Sequence, residues 1–163
     1  MFVHRLLLPD DDLERFDCGV IALNDWLASQ AQRAHQQGVV RVYVWVDDDE
    51  PDHVVAYTAI QPTQVAASHL SRSQSGGHST VPGYLIAELA LERTLHGSGL
   101  GAELLVRSLE TCVAAAKVGG GRIIVVDPID QVARDFYGHH DFVPTKGDDR
   151  LIMKVATAEA ALG

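Results

Sequence analysis

Three alternating glycines, Gly97, Gly99 and Gly101, stand between a strand-like run, Tyr84 to Leu91, and a long amphipathic stretch that begins at Gly99. No other feature limits the fold as tightly. From Gly99 to about Lys117 the stretch places Leu100, Leu104, Leu105, Leu109, Cys112 and Ala116 on one helical face, and Gly119-Gly120-Gly121 ends it. The run Ile123-Ile124-Val125-Val126 is continuously apolar, as in strands covered on both faces, so strand, helix and strand form a parallel crossover unit. The first turn of a helix has unpaired N–H groups and the positive end of the helix dipole, and glycines let a ligand approach them closely. The turn is therefore either an anion site suited to a pyrophosphate or a glycine turn with no ligand. Neither the GxGxxG dinucleotide spacing nor a Gly-Lys-Ser/Thr ending is present.

The flanking pattern predicts a strand near Phe2 to Leu8. Val20, Leu23, Leu27, Ala31 and Ala34 then recur at intervals of three and four, which predicts a single helix ending near Gly38. Val39 to Val46 and His53 to Ile60 read as a hairpin joined by the acidic run Asp47-Asp48-Asp49-Glu50-Pro51-Asp52. Asp130 is an N-cap for a helix with Ala133, Phe136 and Tyr137 on one side, and His140 to Pro144 with Leu151 to Val155 make a final pair of strands. The class is α+β with a mixed, mainly antiparallel sheet. Ala66 to Thr80, rich in Ser, Gly and His, reads as a mobile loop, either a substrate lid or a disordered segment.

A chain of 163 residues with 47% hydrophobic content can bury the core of one domain spanning 1–163. Cys18 and Cys112 suggest neither a disulfide framework nor a zinc site, and eight histidines show no ligand spacing, so no metal is expected. The cysteine usage suggests a reducing, cytoplasmic setting, and a soluble chain with no membrane association is expected because no apolar run approaches the roughly 20 residues needed to span a bilayer. The formal charge of −9 opposes general nucleic-acid binding. Much of it sits in Asp10-Asp11-Asp12, Asp47 to Glu50 and Asp148-Asp149, read as solvated loop tips, which leaves room for a local basic cleft from Arg33, Arg41 and Arg93.

Leu85-Ile86-Ala87-Glu88-Leu89-Ala90-Leu91 followed by His96-Gly97-Ser98-Gly99-Leu100-Gly101 resembles the acetyl-CoA motif of the GNAT superfamily of N-acetyltransferases, with His96 where that family has Gln or Arg. Ala133-Arg134-Asp135-Phe136-Tyr137, followed closely by Asp141-Phe142, resembles a second family segment in which glycine stands at the position of Asp141. The opening Phe16-Asp17-Cys18-Gly19, with Leu23-Asn24-Asp25-Trp26-Leu27, is similar to the subgroup that includes toxins of type II toxin–antitoxin pairs, which acetylate aminoacyl-tRNA. Those toxins are typically basic, and Glu88 stands here where many of them have Arg.

The resemblance implies the GNAT fold, with about six to seven strands and acetyl-CoA as cofactor. The cofactor residues would be Leu89, Ala90 and Leu91 along a splayed strand, His96, Gly97, Ser98, Gly99, Leu100, Gly101 and Ala102 at the turn, and Asp130, Ala133 and Phe136 beyond it. Tyr137 would be the acid that protonates the leaving thiolate, because a phenol remains protonated at neutral pH. Glu88, on the cofactor strand, is the candidate base for the amine, unless it lies on the solvent side of the pleat. The acceptor is expected to be a primary amine of a small molecule or a peptide, the alternatives being a toxin that acetylates aminoacyl-tRNA or a cofactor-binding domain without turnover, and the implied protein partners are an antitoxin and a second copy of the chain.

Overall fold

In the computed structural model, which describes Met1–Gly163, the elements run in the order β1 (Phe2–Leu6), α1 (Ile21–Ser29), α2 (Ala31–Gln36), β2 (Arg41–Asp47), β3 (Glu50–Ala66), α3 (Arg72–Ser75), β4 (Thr80–Leu91), α4 (Leu100–Gly119), β5 (Ile123–Val126), α5 (Gln131–His139), β6 (Val143–Pro144), β7 (Leu151–Lys154) and α6 (Val155–Leu162). The seven strands follow the sheet order β1-β2-β3-β4-β5-β7-β6. β4 and β5 are parallel, whereas β1 with β2, β2 with β3, β5 with β7 and β6 with β7 are antiparallel. The α+β class and the parallel crossover around α4 are as the sequence pattern predicts.

The chain divides into two compact units, Met1–Gln61 with Glu88–Val106, and Pro62–Ala87 with Arg107–Gly163. In the first, alternation along the strands separates two apolar faces. Val42, Val44 and Val46 of β2, Tyr57 and Ala59 of β3 and Ala90 of β4 pack with Phe16, Cys18, Leu27 and Ala31 on the α1 side. Trp45, Val55, Ala56 and Leu91 pack with Leu104, Leu89, Leu95 and Leu100 on the α4 side. In the second unit all four residues of β5 are fully buried, and Val65, Leu70 and Val81 pack with Ile123, Val125 and Ile152. Gly83 pairs with Ile123, and a Cβ at Gly83 would lie 2.2 Å from the Ile123 carbonyl oxygen, so this approach of β4 to β5 requires glycine.

Several expectations are corrected. The stripe from Val20 to Ala34 forms two helices that meet at Gln30 (φ −125°, ψ −26°). The Ser29 hydroxyl donates to the Asp25 carbonyl four residues back, a bond that bends helices. The bonds Gln30 N–H to Trp26 O and Ala34 N–H to Gln30 O keep the register, so Leu27 and Ala31 remain buried on one face. The acidic run after β2 is mostly strand, because Asp47 pairs with Glu50 and only Asp48 and Asp49 turn. Asp11 is not a solvated tip: its carboxylate is 1% exposed and takes both terminal nitrogens of Arg5, at 2.7 and 2.9 Å. The Ala66–Thr80 segment is folded, with a helical turn at Ala67–His69 and α3 held by a capping box between Ser71 and Gln74. The strand expected from His140 shortens to Val143–Pro144, and α6 has no counterpart in the sequence reading.

Asp141 has φ 72°, the left-handed region that glycine adopts freely. Glycine stands at this position in the resembled family, and the backbone here takes a conformation that glycine adopts without strain, although the residue is aspartate. Asp141→Gly should therefore raise stability by about 0.5–1 kcal/mol, read as a Tm increase of roughly 1–4 °C. An unchanged or lower Tm would show that the aspartate relieves its own strain.

Candidate functional site

The end of β4 and the turn after it lie wholly within the first unit. Pairing with β5 covers only Gly83 to Ile86, but β4 continues to Leu91, so five further residues extend past their parallel neighbour. Backbone donors and acceptors on such an edge require another partner.

The turn is held by a series of local bonds. Glu92 N–H donates to Val55 O at 2.8 Å, and Arg93–Leu95 form a 3-10 turn. His96 Nε2 lies 2.7 Å from the Leu91 carbonyl oxygen, which fixes the proton on that nitrogen, and the Ser98 hydroxyl donates to Leu95 O at 3.0 Å. His96 thus holds the turn to the end of β4, which gives the departure from Gln or Arg a structural role. Gly97 and Gly99 have φ 84° and 81°, and a Cβ on either would meet nothing within 4 Å. The backbone requires glycine at both positions, and the space above them is open. With the 20-residue α4 starting at Leu100, the turn fits an anionic phosphate group and hence the cofactor implied by the resemblance.

Glu88 precedes Ala90 by two residues, so both face the α1 side. That answers the pleat question: the side chain is half-buried, and burial pushes its carboxyl up to about 7. Its backbone carbonyl accepts from the Thr58 hydroxyl at 3.0 Å. Tyr57 lies on the same face, between the edge-on ring of Phe16 (5.4 Å) and the stacked ring of Trp26 (5.8 Å), and its hydroxyl donates to Leu23 O at 2.7 Å. Burial, then the charges of Glu88 and Cys18, hold the Tyr57 hydroxyl well above its ordinary range. Tyr57 is a feature that the sequence reading missed, because an aromatic in an apolar strand carries no signal beyond core.

In the second unit, α5 begins as expected, with the Asp130 carboxylate accepting Ala133 N–H at 2.8 Å. Asp130 is thus engaged as a helix cap. Ala133 and Phe136 are half-buried, and Tyr137 is buried with its ring edge-on to Phe136 (5.3 Å) and to Phe142 (5.5 Å). His69 is tied to the loop before β7, with Nδ1 2.5 Å from Lys146 O and 3.7 Å from Asp148. Cys112 is buried, and desolvation pushes its thiol up to about 12. Cys18 is buried and raised for the same reason, which suits packing and not nucleophilic attack. No group of three or more His, Cys, Asp or Glu side chains is arranged to hold a metal ion, and no helix is long and apolar enough to cross a membrane.

No family model matches the chain. It is 34% identical over 161 residues to a tRNA-acetylating toxin of Mycobacterium tuberculosis, covering 98% of this chain and 95% of that protein. Among solved structures, AtaTR bound with acetyl-CoA matches with a TM-score of 0.85 at 25% identity, covering 99% of this chain and 98% of that one. AtaT complexed with acetyl-methionyl-tRNAfMet matches with a TM-score of 0.92 at 24% identity over the whole of both chains. A tyrosine-to-phenylalanine mutant of the toxin AtaT, bound to the C-terminus of the antitoxin AtaR and acetyl-CoA, matches with a TM-score of 0.84 at 24% identity, covering 98% and 97%. The last two are likenesses of fold.

Proposed function

This chain belongs to the GNAT N-acetyltransferases, with the tRNA-acetylating toxins, and from that membership we propose that it transfers an acetyl group from acetyl-CoA to the α-amino group of an aminoacyl-tRNA. The observation that carries the acceptor is the 34% identity to a tRNA-acetylating toxin along 98% of the chain. It favours the charged tRNA over the wider set of amines that the sequence leaves open. Acetyl-CoA, the ligand of the AtaTR structure, supplies an acetyl thioester when bound.

The chain's own residues then have separate tasks. The turn from His96 to Ala102 presents backbone N–H groups to the phosphates, and Leu89, Ala90 and Leu91, beyond the β5 pairing that ends at Ile86, offer backbone groups to the pantetheine arm. An N–H of Leu89 to Leu91 is the donor for an oxygen that gains negative charge during transfer. The Glu88 carboxylate accepts the proton that the neutral α-amine sheds as it bonds to the acetyl carbon, a task for which a base near 7 is well matched. The Tyr137 phenol delivers a proton to the departing sulfur. Asp130, Ala133 and Phe136 of the second unit are the further residues that the family motif assigns to the cofactor. Residues 1–163 act as one acetyltransferase domain, in the cytoplasm, as a homodimer neutralised by an antitoxin, the type of partner bound in the AtaT–AtaR structure.

The test is incubation with acetyl-CoA and a panel of charged tRNAs, small amines and peptides, with mass spectrometry of the released aminoacyl group. N-acetyl-aminoacyl product from at least one charged tRNA is expected. Acetylation confined to small amines or peptides would overturn the reading.

A further inference from the structure

We propose that Arg93 is a phosphate-binding residue at the mouth of the glycine turn, and that Asp17 is the positioning residue that aims it. The inference rests on the acetyl-transfer reading of the turn. It gives a task to the Phe16-Asp17-Cys18-Gly19 opening, which the mechanism so far leaves unused.

The first unit holds fourteen acidic residues against five basic ones, whereas the second balances eight against eight, so the whole charge of −9 falls on the unit that carries the turn. A phosphate approaching this turn meets an acidic surface and requires a fixed cation. All five basic residues are arginines: Arg5, Arg15, Arg33 and Arg41, which precede the turn by more than 50 positions, and Arg93. Arg5 is engaged by Asp11, and Arg15 by Asp12 and Glu50. Arg41 donates to the His35 carbonyl. Arg93 is the sole Lys or Arg between Glu88 and Ala102, and it opens the 3-10 turn that leads into the glycines.

Asp17 holds Arg93 twice: its carbonyl oxygen accepts Arg93 N–H at 2.9 Å, and its carboxylate forms an ion pair with the guanidinium, Oδ2 lying 3.2 Å from Nε. The carboxylate is itself fixed, because Oδ1 accepts Gly19 N–H at 2.9 Å and Asn24 Nδ2 at 3.1 Å. Asn24 is anchored in turn by Cys18 N–H, which donates to its Oδ1 at 2.9 Å. The carboxylate lies nearest Nε, and the terminal nitrogens of a guanidinium form the fork that matches two phosphate oxygens. The Arg93 side chain is 65% exposed although it is ion-paired. A surface ion pair of this kind contributes little to stability, so its removal leaves the fold in place to be tested.

The phosphate has two possible sources, the nucleotide end of acetyl-CoA and the backbone of a charged tRNA. Arg93→Gln, Arg93→Lys and Asp17→Asn should be compared in the full chain by acetyl-CoA titration, and by kinetics with acetyl-CoA or phosphate-free acetyl-pantetheine as donor. Charged tRNA and a phosphate-free aminoacyl ester serve as acceptors. Arg93→Gln should weaken at least one phosphate-bearing ligand about 10-fold, as Kd or KM, with kcat at saturation within about twofold. Arg93→Lys should recover part of the loss, and Asp17→Asn should show a smaller loss of the same kind. Loss of acetyl-CoA affinity assigns the phosphate to the cofactor, and loss confined to the KM for charged tRNA assigns it to the acceptor. Unchanged values for both phosphate-bearing ligands, or an equal loss with the phosphate-free pair, would overturn the proposal. The acetyl-CoA titration reads on Arg93 even if charged tRNA proves not to be the acceptor, so the two failures are distinguishable.

Discussion

Tyr137→Phe should lower kcat for acetyl transfer by about 100- to 1,000-fold while the Kd for acetyl-CoA stays within about twofold. The ring is buried and makes edge-on contacts with Phe136 and Phe142, and phenylalanine retains the ring and these contacts. What is lost is the phenolic proton. A thiolate leaving without a proton donor raises the barrier to the chemical step, whereas binding of the thioester does not involve that proton. Single-turnover kinetics with calorimetric titration of acetyl-CoA separates the two quantities. Normal turnover in the variant would remove Tyr137 from the acid role and return it to the aromatic cluster of α5. A matched loss of affinity would show that the hydroxyl holds the cofactor instead.

Glu88→Gln should have the second largest effect, and its sign depends on pH. The carboxyl titrates near 7 in the fold and must be ionised to accept a proton, so log kcat/KM for the native chain rises with pH through that value. The acceptor's own α-amine, with an ordinary pKa of about 8, adds a second rising limb. Below both values the slope approaches two. Glu88→Gln should retain only the amine's limb, with slope one and a rate about 100-fold lower at pH 8. A variant profile that keeps slope two would assign the base elsewhere.

The same residue makes a stability prediction. A carboxyl raised from an ordinary 4.5 to about 7 binds its proton more tightly in the folded state, so its favourable contribution is complete below 4.5 and is lost as pH rises through 7. Glu88→Gln removes this loss. The Tm of the variant relative to the native chain should therefore rise between pH 5 and pH 8, and a difference that does not change with pH would place Glu88 in a solvated environment.

Much of the fold was legible because its signals are local. The glycines before α4, the apolar face of that helix and the unbroken β5 specify a parallel unit from spacing alone, and the Asp130 cap locates α5 within a residue. The break at Gln30 escaped the pattern because apolar spacing continues through it: the hydrogen bonds on either side preserve the register, and only the backbone angles change. Composition marks the folded Ala66–Thr80 segment as a loop, because it does not weight the capping box through which Ser71 and Gln74 stabilise α3. Asp11 was read as solvated because a run of aspartates carries no sign of which member lies against Arg5.

The sequence by itself determined that a helix N-terminus with close-approach glycines follows a buried strand, and that a phenol stands on an apolar helix face further along the chain. These follow from periods of two and 3.6 residues and from the unpaired amides of a first turn, all local properties. Tertiary structure decided which face of β4 Glu88 occupies, that β4 outruns β5 beyond Ile86, that His96 closes onto Leu91, and that Asp17 meets Arg93 across 76 positions of chain. Each of these depends on the pleat and pairing of segments distant in sequence. Burial of a carboxylate or orientation of a guanidinium is set by neighbours that no local period specifies.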